Sequence, residues 1–478
     1  MSAPPHVAHP SHDDPLVRAA SEGIGGPVGD RAAAHPWWSP LRVVLAVACL
    51  ALALGMVQKS PCVAQRWAGG NTRYAAMCYS DVPYLYTGRG FAERLLPYAP
   101  NGGRYPAMEY PVVIGYFAYG SALLTQATMG WPDVENRARY TPDGIYGAPG
   151  VAAESWRYFE VTAVLLAPFG LLTAWFLARA SRGRPWDAMA YAASPMLVLA
   201  GLINWDLLAV CAVAGALWAW SRGRPLLAGV LIGVGTATKL YPLFLLGALF
   251  VVAVRRARLR AFAGAAVAAG VAWLLVNLPA MMWGFEEWKA FWTFNSKRPA
   301  DLGSLWLVWQ QAGHTIGVDT INTVSWLWFG SCCLLVLSLG LLAPRPPRVA
   351  QLAYLVVAAF LVVNKVYSPQ YVLWLLPLAV LARPRWRDLL VWQAGEALYF
   401  AGVWLYLGGY TASASSGQPD HTYWLVTILR VAAEVYLAVM VVRDVLHPEL
   451  DPVRADGRVD DPLEPAPSVE RVETTRSA

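Results

Sequence analysis

Long uncharged runs dominate the chain, and polar residues arrive in short clusters between them. About twelve runs have the composition of membrane-spanning helices: 41–57, 157–179, 188–203, 206–220, 226–238, 242–254, 261–279, 321–343, 349–363, 371–382, 388–406 and 424–442. A hydrocarbon core about 30 Å thick needs roughly 20 helical residues. The runs 226–238, 242–254 and 371–382 are too short for that, so their ends stop below the surface or lean on flanking polar residues. Three polar motifs adjoin the short runs: Asn204-Trp205-Asp206, Lys239-Leu240-Tyr241-Pro242 and Asn364-Lys365-Val366-Tyr367-Ser368-Pro369-Gln370-Tyr371. Irregular backbone at membrane depth is tolerated only inside protein or along a wet cavity. An intramembrane lysine costs about 2.5–3.5 kcal/mol on insertion scales, so the three motifs predict one shared cavity.

Composition fixes the class. With 57% apolar residues, 14% charged residues and 23 tryptophans, the chain reads as an all-α polytopic membrane protein. Arginine clusters at Arg182 and Arg184, Arg222 and Arg224, 255–260, Arg345 and Arg348, 383–387, and Arg443 mark the cytoplasmic loops. Placing all of them inside gives about twelve spans, cytoplasmic termini and a long extracytoplasmic loop region over 58–156. Within it, 108–131 is apolar enough to cross, yet a crossing there would turn every later arginine cluster outward. It is therefore expected as a membrane-dipping hairpin or an outer-face helix. Residues 1–40 and 444–478 are rich in Pro and polar residues and are expected as disordered cytoplasmic tails around a transmembrane domain of 41–443. The first run reads as an uncleaved anchor because its polar lead is too long for a signal peptide. The chain carries neither a Gly-rich phosphate loop nor a βαβ pattern, which argues against a cytosolic nucleotide-sugar domain.

The candidate catalytic group is Asp81, a lone acid in Cys78-Tyr79-Ser80-Asp81-Val82-Pro83-Tyr84, with loop capping as the plain alternative. Of 37 basic residues five are lysines, all on the outer face: Lys59, Lys239, Lys289, Lys297 and Lys365. Lys59 and Lys289 read as solvated. Lys239 and Lys365, beside helix-breaking prolines, suit a lipid phosphate at the interface. Asn204 and Asp206 suit either sugar hydroxyls or a helix cap, and Glu109 either acceptor orientation or a cap. His314 is a candidate for proton relay or phosphate contact. Glu396 and Glu434, inside apolar runs, are expected to pair with other helices. Cys62 and Cys78 flank the loop leading to Asp81 on the oxidising side, where either a disulfide or two free thiols fits. The aromatic stretch 283–306 is expected to lie over the cavity. No Cys/His spacing forms a zinc site; no cofactor is expected, and a divalent cation is left open.

Taken in order, Tyr79-Ser80-Asp81, Arg89, Pro97-Tyr98, Glu109-Tyr110-Pro111, Asn204-Trp205-Asp206, Lys239-Leu240-Tyr241-Pro242, Arg298 with Gly303-Ser304, and the 364–371 motif resemble glycosyltransferase family 87 of the GT-C superfamily, in particular its polyprenyl-phosphate-mannose-dependent mannosyltransferases. The likeness runs over about 41–443. It implies a GT-C-like bundle in the bacterial plasma membrane with an extracytoplasmic active site. It also implies inverting transfer of a hexose, with mannose expected, from a polyprenyl-phosphate sugar to a lipid or envelope-glycan acceptor. On that likeness Asp81 is the catalytic base, Lys239, Lys365 and Arg298 hold the donor phosphate, and Tyr367 and Gln370 join Glu109, Asn204, Asp206 and His314 in binding substrate. Membrane lipids are the other partners, and nucleic acid is not one. A carrier of lipid-linked sugars is the main alternative, and a non-catalytic scaffold a third.

Overall fold

The computed structural model describes residues 37–181, 183–411, 420–455 and 460–464. Residues 1–36, most of the expected N-terminal tail, lie outside the described residues, as do Arg182, 456–459 and 465–478. Every regular element among the described residues is helical. In chain order the helices used below are α1 Pro40–Ala64, α2 Val82–Gly88, α3 Val112–Thr128, α4 Val151–Ala180, α5 Pro195–Ala200, α6 Leu207–Ser221, α7 Pro225–Thr236 and α8 Leu245–Arg255. They continue with α9 Leu259–Trp283, α10 Phe285–Lys297, α11 Leu305–Gln311, α12 Val318–Leu342, α13 Val349–Val363, α14 Val372–Ala382, α15 Trp386–Leu407 and α16 His421–Leu446.

Five helices, α1, α4, α9, α12 and α16, are long and apolar enough to cross a membrane. The apolar helices α6, α7, α8, α13 and α14 are shorter, as the short runs predict. One expected span is not a continuous helix. The run 188–203 breaks at Ser194-Pro195: proline has no N–H to continue the preceding turn, and the Ser194 hydroxyl instead accepts from Met196 N at 3.1 Å and donates to Gln393 at 2.6 Å. The segment 108–131 contains one helix, α3, and not a hairpin; the Val113 amide at its start donates to Ala237 O at 3.0 Å.

Packing follows residue size. In α7, Gly229 and Gly233 lie one turn apart, and a Cβ at either would collide with the Ala265 or Ala269 carbonyl of α9. Small residues at that spacing let two helix backbones meet closely in a membrane. At the centre, α14 is buried along its whole length, flanked by α6, buried except for the half-buried Trp218, and by α13, buried from Val349 to Ala358.

The expected C-terminal tail differs from the structure where it is described. Helix α16 runs on to Leu446 with Asp444 buried, and Asp451 and Asp461 are buried as well. Arginines at the helix ends supply the reason. Arg348 donates to both Asp451 oxygens at 2.8 and 2.9 Å, and Arg256 pairs with Asp460 at 2.8 Å and Glu464 at 3.1 Å. Composition counts the charges of this segment but not the partners waiting for them.

Candidate functional site

Asp81 sits where the loop that follows α1 meets the start of α2. It holds the N-cap position of that helix, yet its side chain makes no capping bond; the Ser80 hydroxyl takes the Val82 amide at 3.3 Å. The Asp81 amide donates to Ile203 O at 2.8 Å, and Ser80 Oγ donates to the same oxygen at 3.1 Å. The loop is thus pinned to the turn that carries Asn204, and the carboxylate is left for other partners. Tyr79 donates to Oδ1 at 2.9 Å, while Asn204 Nδ2 at 2.8 Å and the Tyr110 hydroxyl at 3.5 Å reach Oδ2. Plain capping is therefore not what this carboxylate does.

Lys239 reaches the same place from the turn after α7. Its amide closes on Gly235 O at 2.8 Å, and Pro242 lies in the first turn of the 3-10 helix Tyr241–Phe244 that follows. The ammonium lies 5.1 Å from the centre of the Tyr110 ring and 3.5 Å from Asp206. Because the start of α3 hydrogen-bonds to Ala237, Glu109 and Tyr110 are carried beside this lysine. Glu109 is held by a two-point ion pair with Arg89, at 2.7 and 2.5 Å.

Two loops build the opposite wall. The Asp301 amide donates to Lys365 O, and the Tyr367 amide to Leu302 O, both at 2.8 Å. This pairing brings Arg298 alongside Lys365. It needs a glycine: Gly303 has φ +75°, and a Cβ there would strike Tyr367 and Tyr399. Arg298 pairs with Asp301 at 2.6 Å, and Lys365 Nζ donates to Asn322 Oδ1 at 2.7 Å and Ser296 O at 3.3 Å.

Between these walls lies a cavity of about 520 Å³. Asp81, Glu109, Asn204, Lys239, Arg298, Lys365 and Gln370 line it, with Tyr110, Asn322 and Tyr371 as further polar groups. Its other wall is apolar and aromatic, formed by Phe291, Trp292 and Phe294 of α10, Trp326 and Phe329 of α12, and Phe360 of α13. The stretch 283–306 thus contributes α10 to the rim.

Three expected substrate contacts are absent from the wall. Asp206 is buried behind it, accepting from Trp374 Nε1 at 2.6 Å and pairing with Lys239. Tyr367 is buried among helices, its hydroxyl donating to Glu396 at 2.9 Å and its ring lying 3.6 Å below the Arg430 guanidinium. His314 is exposed and stacked on Trp309 at 4.1 Å. Buried Glu434 pairs with Arg430 one turn away on its own helix at 2.9 Å, and Glu396 accepts from Trp392 of its own helix and from Tyr367 of the loop before α14, where partners on other helices were expected. Sequence reasoning missed Tyr110 as a site residue, although the Glu109-Tyr110-Pro111 motif contains it, and Asn322, which no spacing marks. It also read Lys59 as solvated, whereas the side chain is fully buried.

The electrostatics differ along the cavity. Burial holds the Asp81 carboxyl above the ordinary aspartate value; hydrogen bonds from Tyr79 and Asn204 and the Lys239 charge oppose the rise, and Asp206 adds to it. Burial, followed by the Arg298 guanidinium, pushes Lys365 down. Burial and the neighbouring Asp81 push the Tyr110 phenol well up, so it stays a neutral donor. Among the described residues no three His, Cys, Asp or Glu side chains gather as a metal site.

Upstream, Cys62 and Cys78 are bonded, with Cα atoms 5.8 Å apart. The model of glycosyltransferase family 87 matches residues 146–369. That match bears out the resemblance and supports a glycosyltransferase. The family 87 match takes in Asn204, Asp206, Lys239, Arg298, His314, Lys365 and Tyr367, and it stops short of Asp81 and Glu109 upstream and Gln370 downstream. The base candidate therefore rests on cavity geometry and not on the match. No curated protein matches the chain.

Proposed function

We propose that the protein is an inverting, polyprenyl-phosphate-sugar-dependent hexosyltransferase acting at the extracytoplasmic face of the bacterial plasma membrane. The observation that carries this reading is one cavity lined by the Asp81 carboxylate, by the cations Lys239, Arg298 and Lys365, and by an apolar, aromatic wall. Asp81 takes the proton of an acceptor hydroxyl as that oxygen attacks the anomeric carbon, and polyprenyl phosphate leaves from the opposite face of the sugar. A raised carboxyl pKa suits a base, and a positioned base contributes about 10²- to 10⁴-fold in rate. The leaving phosphate gains negative charge, which Arg298 and Lys365 stabilise more in the transition state than in the ground state. Lys239 serves the same charge from the Asp81 side. Mannose is the proposed sugar, and a lipid or envelope glycan the acceptor.

Arginine placement supports the outward orientation. Helices α13 and α14 reach the cavity at Val363 and Tyr371 and end, at their other ends, beside Arg348 and Arg383. The test is purified protein in lipid nanodiscs, given polyprenyl-phosphate mannose and a lipid acceptor extract. Release of polyprenyl phosphate together with a mannosylated product is expected. Donor movement across proteoliposomes without cleavage would replace the enzyme reading with a carrier.

A further inference from the structure

Behind Asp81, on the side away from the cavity, the outer end of α1 grips the loop at three successive points. Gln58 donates to Met77 O, Lys59 Nζ donates to Tyr79 O at 2.8 Å, and Cys62 is bonded to Cys78. Two of these grips are routine: an amide to a carbonyl, and a covalent bond. The middle one is not. Lys59 is fully buried, and among the described residues no carboxylate lies within ion-pairing distance of it. A neutral side chain would hold a main-chain carbonyl at far lower desolvation cost, since a buried charge is expensive unless something answers it. The carboxylate its charge acts on is Asp81, two residues beyond the carbonyl it binds.

We propose that Lys59 is a positioning residue for Asp81, its buried ammonium fixing the Tyr79 peptide and supplying positive charge behind the carboxylate. This rests on the reading of Asp81 as the base. Besides Lys59, the groups that act on the Asp81 charge are Tyr79 from its own loop, Tyr110 beside α3, Asn204 and Asp206 at the start of α6, Lys239 after α7, and Tyr371 before α14. Lys239 is already shared with Asp206 at 3.5 Å. Lys59 is not shared with a second carboxylate, so its loss falls on Asp81.

The sign follows from charge. A nearby cation favours the ionised carboxylate, so replacing it by a neutral side chain raises the pH at which Asp81 becomes a competent base. The experiment compares Lys59→Met, Lys59→Arg and Asp81→Asn for sugar transfer from polyprenyl-phosphate mannose across pH, with thermal unfolding in detergent as the folding control. Lys59→Met should move the acidic limb of kcat/KM upward by about one pH unit, and Lys59→Arg should leave the limb near its original position. A Lys59→Met profile superimposable on the parent overturns the proposal. So does a Lys59→Arg limb displaced as far as that of a neutral variant such as Lys59→Gln, a comparison that stands even if Lys59→Met fails to fold. Failure of the underlying reading looks different, because Asp81→Asn would then retain transfer whatever Lys59 does.

Discussion

Two regions of this protein bury charge, and they do so in opposite ways. At the far ends of α13 and α14, arginines and carboxylates pair with one another. Arg383 bonds Asp388 at 2.6 Å and also Asp444, and Arg348 bonds Asp451 and the carbonyls of Leu381 and Ala382. Around the cavity, at the other ends of the same two helices, Glu109, Lys239 and Arg298 are also ion-paired, but Asp81 and Lys365 meet neutral partners. Asp81 accepts from two phenols and an amide, and Lys365 donates to an amide oxygen and a main-chain carbonyl. Since α14 spans 11 residues, or about 16 Å at 1.5 Å per residue, the two kinds of burial sit close together. Charge answered by charge holds helices; charge answered by neutral groups beside a cavity is available to a ligand.

The largest effect should fall on the unanswered side. Asp81→Asn is expected to cut sugar transfer by about 10²- to 10⁴-fold while leaving the fold at least as stable. Here the folded-state pKa is raised, so on going up in pH the unfolded chain ionises first and folding stability falls through that window. At neutral pH the carboxylate therefore subtracts from stability, and an amide removes that cost. Transfer rates with a thermal melt check both halves; a large drop in melting temperature would move Asp81 to the structural class.

The converse holds at the other end. Arg383→Met leaves Asp388 and Asp444 buried without their shared partner, which typically costs about 3–5 kcal/mol. Denaturation in detergent should show that loss, with kcat of the remaining folded enzyme unchanged. A smaller effect is expected for Lys365→Met, which removes one charge-assisted contact worth about 1.5–3 kcal/mol, seen as a roughly tenfold to hundredfold drop in kcat/KM with little change in melting temperature.

How far the sequence discloses this contrast depends on what distinguishes the two sides. Short apolar runs ending in polar motifs are visible as a pattern, and they led to the shared cavity because membrane depth leaves such ends few other places to go. Helix ends from 206 to 254 and from 349 to 382 follow the apolar runs closely for the same reason. Pairings between distant segments are not visible. Asp451 meets Arg348 across 103 positions, and Tyr367 is turned inward by Glu396 and Arg430; periodicity contains neither fact. Lys59 looked solvated because it follows the expected end of the first run at 57, whereas α1 continues to Ala64 and carries the lysine inward.

The smallest expected effect tests the comparison from outside both regions. His314 was a candidate for relay or phosphate contact because it follows two glutamines at the outer edge. The structure leaves it exposed after α11, stacked on Trp309, and away from the cavity wall. A surface substitution of this kind changes stability by less than about 0.5 kcal/mol, and no cavity-lining group depends on the imidazole. His314→Ala should therefore keep transfer within about twofold of the parent, with an unaltered pH profile. If transfer instead fell tenfold, the lining residues would not bound the chemistry, and the segment after α11 would have to fold over the cavity during turnover, bringing the imidazole to a site whose resting walls do not include it.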